Sequence, residues 1–143
     1  MSAWIVRGVV LAVLNVVVRV LLGFAIGQWP LSGSSLRWVA LAVVVLAAAV
    51  WGLVDTRRDR RSGANADLLI LWLKAGLFGG ILAGAIAWLV DLLPVFDLGD
   101  NSLLFELTSG AAWTALLIFV PAMVGVGIAH RLESRRERKA VSA

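Results

Sequence analysis

Four runs of apolar residues, roughly 8–28, 36–54, 68–90 and 104–129, decide what this chain can fold into. Each is close to the ~20 residues of helix that cross ~30 Å of hydrocarbon. Lipid offers no water to pair backbone N–H and C=O groups, so a crossing segment must satisfy them within itself, as a helix does. A membrane barrel would alternate polar and apolar residues over strands of ~10, and no such alternation occurs here. The expected fold is therefore all-α, a bundle of four transmembrane helices forming one transmembrane domain over residues 1–143. Composition agrees: 61% of the residues are hydrophobic and 15% charged, too few charges to cover a soluble domain of this size. The first run is expected to be retained as a helix. The apolar core of a secretion signal spans only about 7–15 residues and does not normally hold residues such as Asn15 and Arg19.

Orientation follows from the basic residues. Arg7, then Arg57, Arg58, Arg60 and Arg61, then Arg131, Arg135, Arg136, Arg138 and Lys139 make ten on one side of the four spans. The opposite connections hold Arg37 alone, and the 91–106 connection is acidic, with Asp91, Asp97, Asp100 and Glu106. The positive-inside rule then places both termini, the loop 55–67 and the basic tail 130–143 in the cytoplasm, as in a multi-pass protein of a bacterial plasma membrane. Tryptophan supplies a second signal, because indole rings favour the headgroup level. Trp4, Trp51 and Trp72 fall near the inner boundary and Trp29, Trp38 and Trp88 near the outer one, while Trp113 falls within a span. The connections carry turn and cap signals: a serine after Pro30 is available to cap the second helix, and Asp67 the third. The 91–106 stretch is expected to lie along the outer interface.

Arg19 is the most informative single residue. An arginine deep in a membrane costs at least ~2.5 kcal/mol and is normally paired or turned to an aqueous cavity. Asn15, Arg19, Gly23 and Gly27 recur every fourth residue, which puts them on one stripe that should face the bundle interior. Glu106, Gly110 and Thr114 repeat the same spacing in the fourth run. The expected arrangement is an Arg19–Glu106 pair, with Asp91 as the reserve acid. Its first expected role is helix packing, and its second a polar pathway through Asn15, Arg19, Glu106 and Thr114. In the third run Gly76, Gly80 and Gly84 form two overlapping GxxxG motifs, a groove that admits another helix of this chain or of a partner. Lys74 is expected to snorkel to the cytoplasmic surface, and Pro121 to kink the fourth helix.

The inventory also excludes. There is no cysteine and one histidine, His130, so neither a thiolate nor a multi-histidine metal site can form. No nucleophile–base constellation is visible, so no catalytic residue, cofactor or metal is expected, and the chain is read as not an enzyme. The basic residues border apolar runs, which points to the lipid bilayer and anionic headgroups, met by the basic loop and tail, and not to nucleic acid.

The segments SAWIVRGVVLAV, QWP, LRW, WGLVDTRRDRR and ADLLILWLKAG together resemble the small actinobacterial four-span membrane family labelled bacterial four-span drug/metabolite-transporter type. The resemblance covers most of the chain and implies a transporter, without implying a substrate or any catalytic residue. Small four-helix multidrug antiporters are similar in size but use a glutamate in the first helix. Here that helix holds no acid, which argues against their mechanism. The expected function is a small transporter, working as a homo-oligomer. The alternative is an accessory or structural subunit that docks on a larger membrane-protein partner through the Gly76–Gly84 groove.

Overall fold

The computed structural model describes residues 3–63, 67–92 and 103–141. Helix α1 spans Ala3–Gln28 and turns through a single 3-10 turn, Pro30–Ser32, into α2, Gly33–Ser62. Helix α3 spans Leu68–Asp91. The fourth span starts as a short α4, Leu103–Phe105, widens into a π turn over Glu106–Gly110, and continues without a break as α5, Ala111–Val141. No strand occurs among the described residues, and four spans are long and apolar enough to cross a membrane. The fold is an all-α bundle of four such spans. The ends of α1 and α5 therefore lie at the same end as the α2–α3 connection, called here the terminal end; the opposite end is the far end.

Two boundaries differ from expectation. The loop 55–67 is largely helix, because α2 runs on to Ser62 and stops at Gly63, whose φ of +65° is the left-handed C-cap conformation that glycine adopts without strain. Hydropathy ends at the first charges, whereas helix continues through arginines that are good helix formers. Helix α2 also starts earlier, at Gly33, with Ser32 in the capping position making no side-chain cap bond. The cap expected on α3 is present: the Ile70 N–H donates to Asp67 Oδ1 at 3.2 Å. Residues 93–102 of the acidic 91–106 connection, and the Asp91 side chain, lie outside the described residues.

The bundle is ordered α1, α3, α5, α2 around its axis. Helix α1 packs chiefly on α3, α3 on α5 and α5 on α2; α2 and α1 meet over less surface, and α1 barely touches α5. Large apolar side chains such as Leu21, Phe24, Leu46, Leu77, Ile81, Leu116 and Val120 point outward, while eight of the thirteen buried hydrophobic residues are alanine. That inversion suits a solvent as apolar as leucine, in which helices associate by close backbone packing and not by burying large side chains.

Glycine makes the close approaches possible. A Cβ on Gly76, Gly80 or Gly84 would run into the carbonyl oxygens of Ala115, Ala111 and Glu106 in turn. The GxxxG face of α3 is thus occupied by the chain's own fourth span. The register advances four residues per step on α3 but four and then five on the fourth span, and the five-residue step is the π turn. On the other side of the bundle Gly52 sits against the Ala122 carbonyl and Gly125 against that of Ala49, locking α2 to α5. Gly8 and Gly79 do the same for α1 and α3.

Candidate functional site

Helix α1 carries Asn15 and Arg19 into the far half of the bundle, and the π turn brings Glu106 to meet them. Arg19 Nη1 donates to Glu106 Oε2 at 3.1 Å and Nη2 to Oε1 at 3.0 Å, a two-bonded fork. The Glu106 side chain is 6% exposed and that of Arg19 32%, so the acid is buried and the guanidinium is only partly covered. Gly110 makes the arrangement possible, since a Cβ there would stand 2.6 Å from Glu106 Oε2. A π turn adds a residue to one helical turn and is often found at functional sites. Here it places the Glu106 carboxylate inward while its carbonyl meets Gly84 and accepts from the Ala111 N–H five residues on.

The pair borders a cavity of about 370 Å³ lined by α1, α2 and the fourth span. Apolar walls come from Val18, Leu22, Leu41, Val44, Trp113 and Leu117; the polar groups are Asn15, Arg19, Arg37, Glu106, Ser109 and Thr114. Asn15 is 7% exposed and Thr114 5%, yet neither side chain has a hydrogen-bond partner among the described residues. Buried polar groups are normally satisfied, and each exception asks for a cause. Both line this cavity, and their polar atoms are not among the fully buried ones without a partner, so they face the cavity space.

No protein-family model matches the chain, and no curated protein matches it in sequence. What the site does must therefore come from its geometry.

The structure brings Asn15, Arg19, Glu106 and Thr114 to one cavity. It does not bring Gly23 and Gly27 with them. Both are exposed, and a Cβ on Gly27 would meet nothing within 4 Å. The stripe has turned outward by Gly23, which is exposed as Gly27 is. Gly76, Gly80 and Gly84 are packing residues outside the cavity lining. Lys74 is exposed, and Pro121 lies buried within α5, where it offers no N–H to the Leu117 carbonyl.

A second ion pair was not foreseen. Arg7 Nε and Nη2 donate to Asp55 Oδ2 and Oδ1 at 2.6 and 2.9 Å, tying α1 to α2 near the terminal end. Asp55 is buried at 3% exposure, and the Arg7 guanidinium stands 6.0 Å from the centre of the Trp72 ring. Trp72 was expected at the inner boundary with a wet N–H; it is fully buried in the bundle, and its indole nitrogen has no partner. The signal for Asp55 was present as the one acid at the apolar edge of the WGLVDTRRDRR segment. Further along, Arg60 forms an ion pair with Glu133 at 2.9 Å and contacts His130 Nδ1 at 2.5 Å, fastening α2 to α5 at the bundle surface.

Proposed function

We propose that this chain is a small transporter of a bacterial plasma membrane, with both termini in the cytoplasm, of the four-span type that its sequence resembles. One observation carries the proposal: a largely apolar cavity within the bundle that the Arg19–Glu106 pair borders and into which Asn15 and Thr114 bring polar groups without a partner among the described residues. Asn15 and Thr114 turn their polar groups to this cavity and not to a partner within the bundle, as a path for a polar solute requires.

The layout suits alternating access. The far cavity ends at Val44 and Leu117, and a second cavity of about 820 Å³ opens at the terminal end between Thr56, Asp59, Met123 and His130. Between them α2 and α5 are in backbone contact at Gly52 and Gly125, which closes the path. Transport then requires that this crossing loosen as the far cavity shuts. An accessory subunit would need a free face for its partner, and the Gly76–Gly84 groove that suggested one is filled from within.

Because the chain has no cysteine, introduced cysteines report without background. Ser109→Cys and Asn15→Cys should react with a membrane-impermeant thiol reagent added to intact cells, while Leu77→Cys, facing lipid, should not. Labelling in inverted vesicles alone would reverse the orientation and leave the cavity standing. Failure of both cavity positions to react from either side would sink the transporter proposal.

A further inference from the structure

Resting on that transporter reading, we infer that the far cavity takes an organic anion with a short apolar body, its carboxylate or phosphate received by Arg37 and Arg19 and its body by the apolar wall.

The cavity's donors and acceptors are unbalanced. A guanidinium has five N–H donors in a fixed fork. The fork on Glu106 uses one on each terminal nitrogen of Arg19 and leaves Nε–H and two others, on a side chain 32% exposed. Arg37 lines the same cavity, is exposed, and has no carboxylate within salt-bridge distance among the described residues. Asn15, Ser109 and Thr114 add an amide and two hydroxyls. Against these stands one carboxylate, Glu106, already engaged by Arg19. Among the described residues the lining therefore carries a net charge of +1 from two arginines and one glutamate, with donors in excess. A cation would meet repulsion from Arg37 and find the one carboxylate of the described lining already engaged. A neutral solute would use Asn15 and Thr114 but leave Arg37 without a role.

Depth fits the same ligand. Arg37 lies four residues into α2 from its far-end start at Gly33, and Arg19 nine residues before the far end of α1 at Gln28. At 1.5 Å per residue the two charges differ in depth by about 7 Å, a basic mouth above a basic, polar interior. An incoming anion meets Arg37 first, and planar guanidinium groups receive carboxylate or phosphate through paired hydrogen bonds. Val18, Leu22, Leu41, Val44 and Leu117 then supply an apolar wall for the remainder. Asn15 and Thr114 line the cavity without a hydrogen-bond partner among the described residues and are placed to complete the anion's hydrogen bonds.

The test uses the full chain in phosphatidylcholine nanodiscs and probes of one chain length: decanoate, decyl phosphate and decyltrimethylammonium. Both anions should bind saturably and the ammonium should not. Arg37→Gln should weaken anion binding roughly ten- to a hundred-fold, the worth of one charge-assisted bond, and Arg37→Lys should restore part of it. Asn15→Leu should weaken it as well. Arg37 is exposed and has no ion pair among the described residues, so its substitution should leave the fold intact, and an unchanged thermal midpoint checks that. Displacement of decanoate by phosphatidylglycerol in the disc would name a bilayer lipid as the occupant; displacement by benzoate from solution would name a soluble anion. Either outcome upholds the anion site. Equal binding of the ammonium, or full anion affinity in Arg37→Gln, would overturn it. If Ser109→Cys still reacts with the impermeant reagent in that event, the cavity stands and only the ligand class has failed. If Ser109→Cys and Asn15→Cys are inert, the transporter proposal has failed first.

Discussion

At the scale of single residues, the two ion pairs of α1 each set a buried carboxylate against a partly covered guanidinium, in different surroundings. Each joins an arginine to a carboxylate through two hydrogen bonds, Arg7 to Asp55 and Arg19 to Glu106. Removing one member leaves the other as an uncompensated charge, which costs about 3–5 kcal/mol when the site is buried. Glu106→Ala and Asp55→Ala should both lose folded protein on that account, measured as the yield of monodisperse protein after extraction and its thermal midpoint. The exchange Arg19→Glu with Glu106→Arg should recover a substantial part of what either change loses alone. No recovery would show that the pair is incidental to the fold. Gly110→Ala offers a finer probe. Its methyl group would stand 2.6 Å from Glu106 Oε2 and must push the carboxylate off Arg19. We expect a loss of about 1–3 kcal/mol, and Glu106→Ala in the same background should then cost much less than it does alone.

At the scale of elements, helix contact is governed by glycine facing carbonyl oxygen. Gly80→Leu should be among the most damaging changes in α3, because the Ala111 carbonyl of the fourth span already occupies that space. Gly27→Leu, with nothing within 4 Å, should be nearly neutral. Comparison of the two by thermal unfolding in detergent checks the expectation, and similar midpoints would refute it. The same contacts explain what could be read in advance. Four-residue spacing marked Gly76, Gly80 and Gly84 as a groove, since small residues at that period can form nothing else on a helix. It could not say what fills the groove, because the partner contributes carbonyl oxygens, which every residue has. The π turn was likewise invisible: Glu106, Gly110 and Thr114 look evenly spaced, and the extra residue shows only when α3 imposes its register. The burial of Asp55 and Trp72 was not legible for one shared reason. Residues near the end of an apolar run read as boundary, but α2 continues past Asp55, and packing from neighbouring helices closes over Trp72.

At the scale of the whole molecule, two locks hold the ends of the bundle differently. The terminal end is fastened by Arg7–Asp55 between α1 and α2 and by Arg60 with His130 and Glu133 between α2 and α5. At the far end the ion pair found among the described residues is Arg19–Glu106, beside the cavity. Four apolar spans and the side on which basic residues gather were plain from sequence, because insertion responds to those properties directly. Orientation can therefore be tested by subtraction. Of ten basic residues at the terminal end, five lie beyond His130, so a chain ending there keeps five against Arg37. It loses the Arg60–Glu133 bond, a partly exposed pair worth about 1 kcal/mol or less. It should insert as the full chain does, with Leu31→Cys labelled only from outside. Changing Arg57, Arg58 and Arg61 to glutamine in that shortened chain leaves two against one. The bias then nearly vanishes while the apolar spans and the Arg7–Asp55 and Arg19–Glu106 pairs remain. Leu31→Cys should now be labelled from both sides in one preparation, a mixed population of folded bundles. Uniform labelling from outside would mean that the basic residues do not set the orientation, and that the acidic 91–106 connection or the order of insertion does.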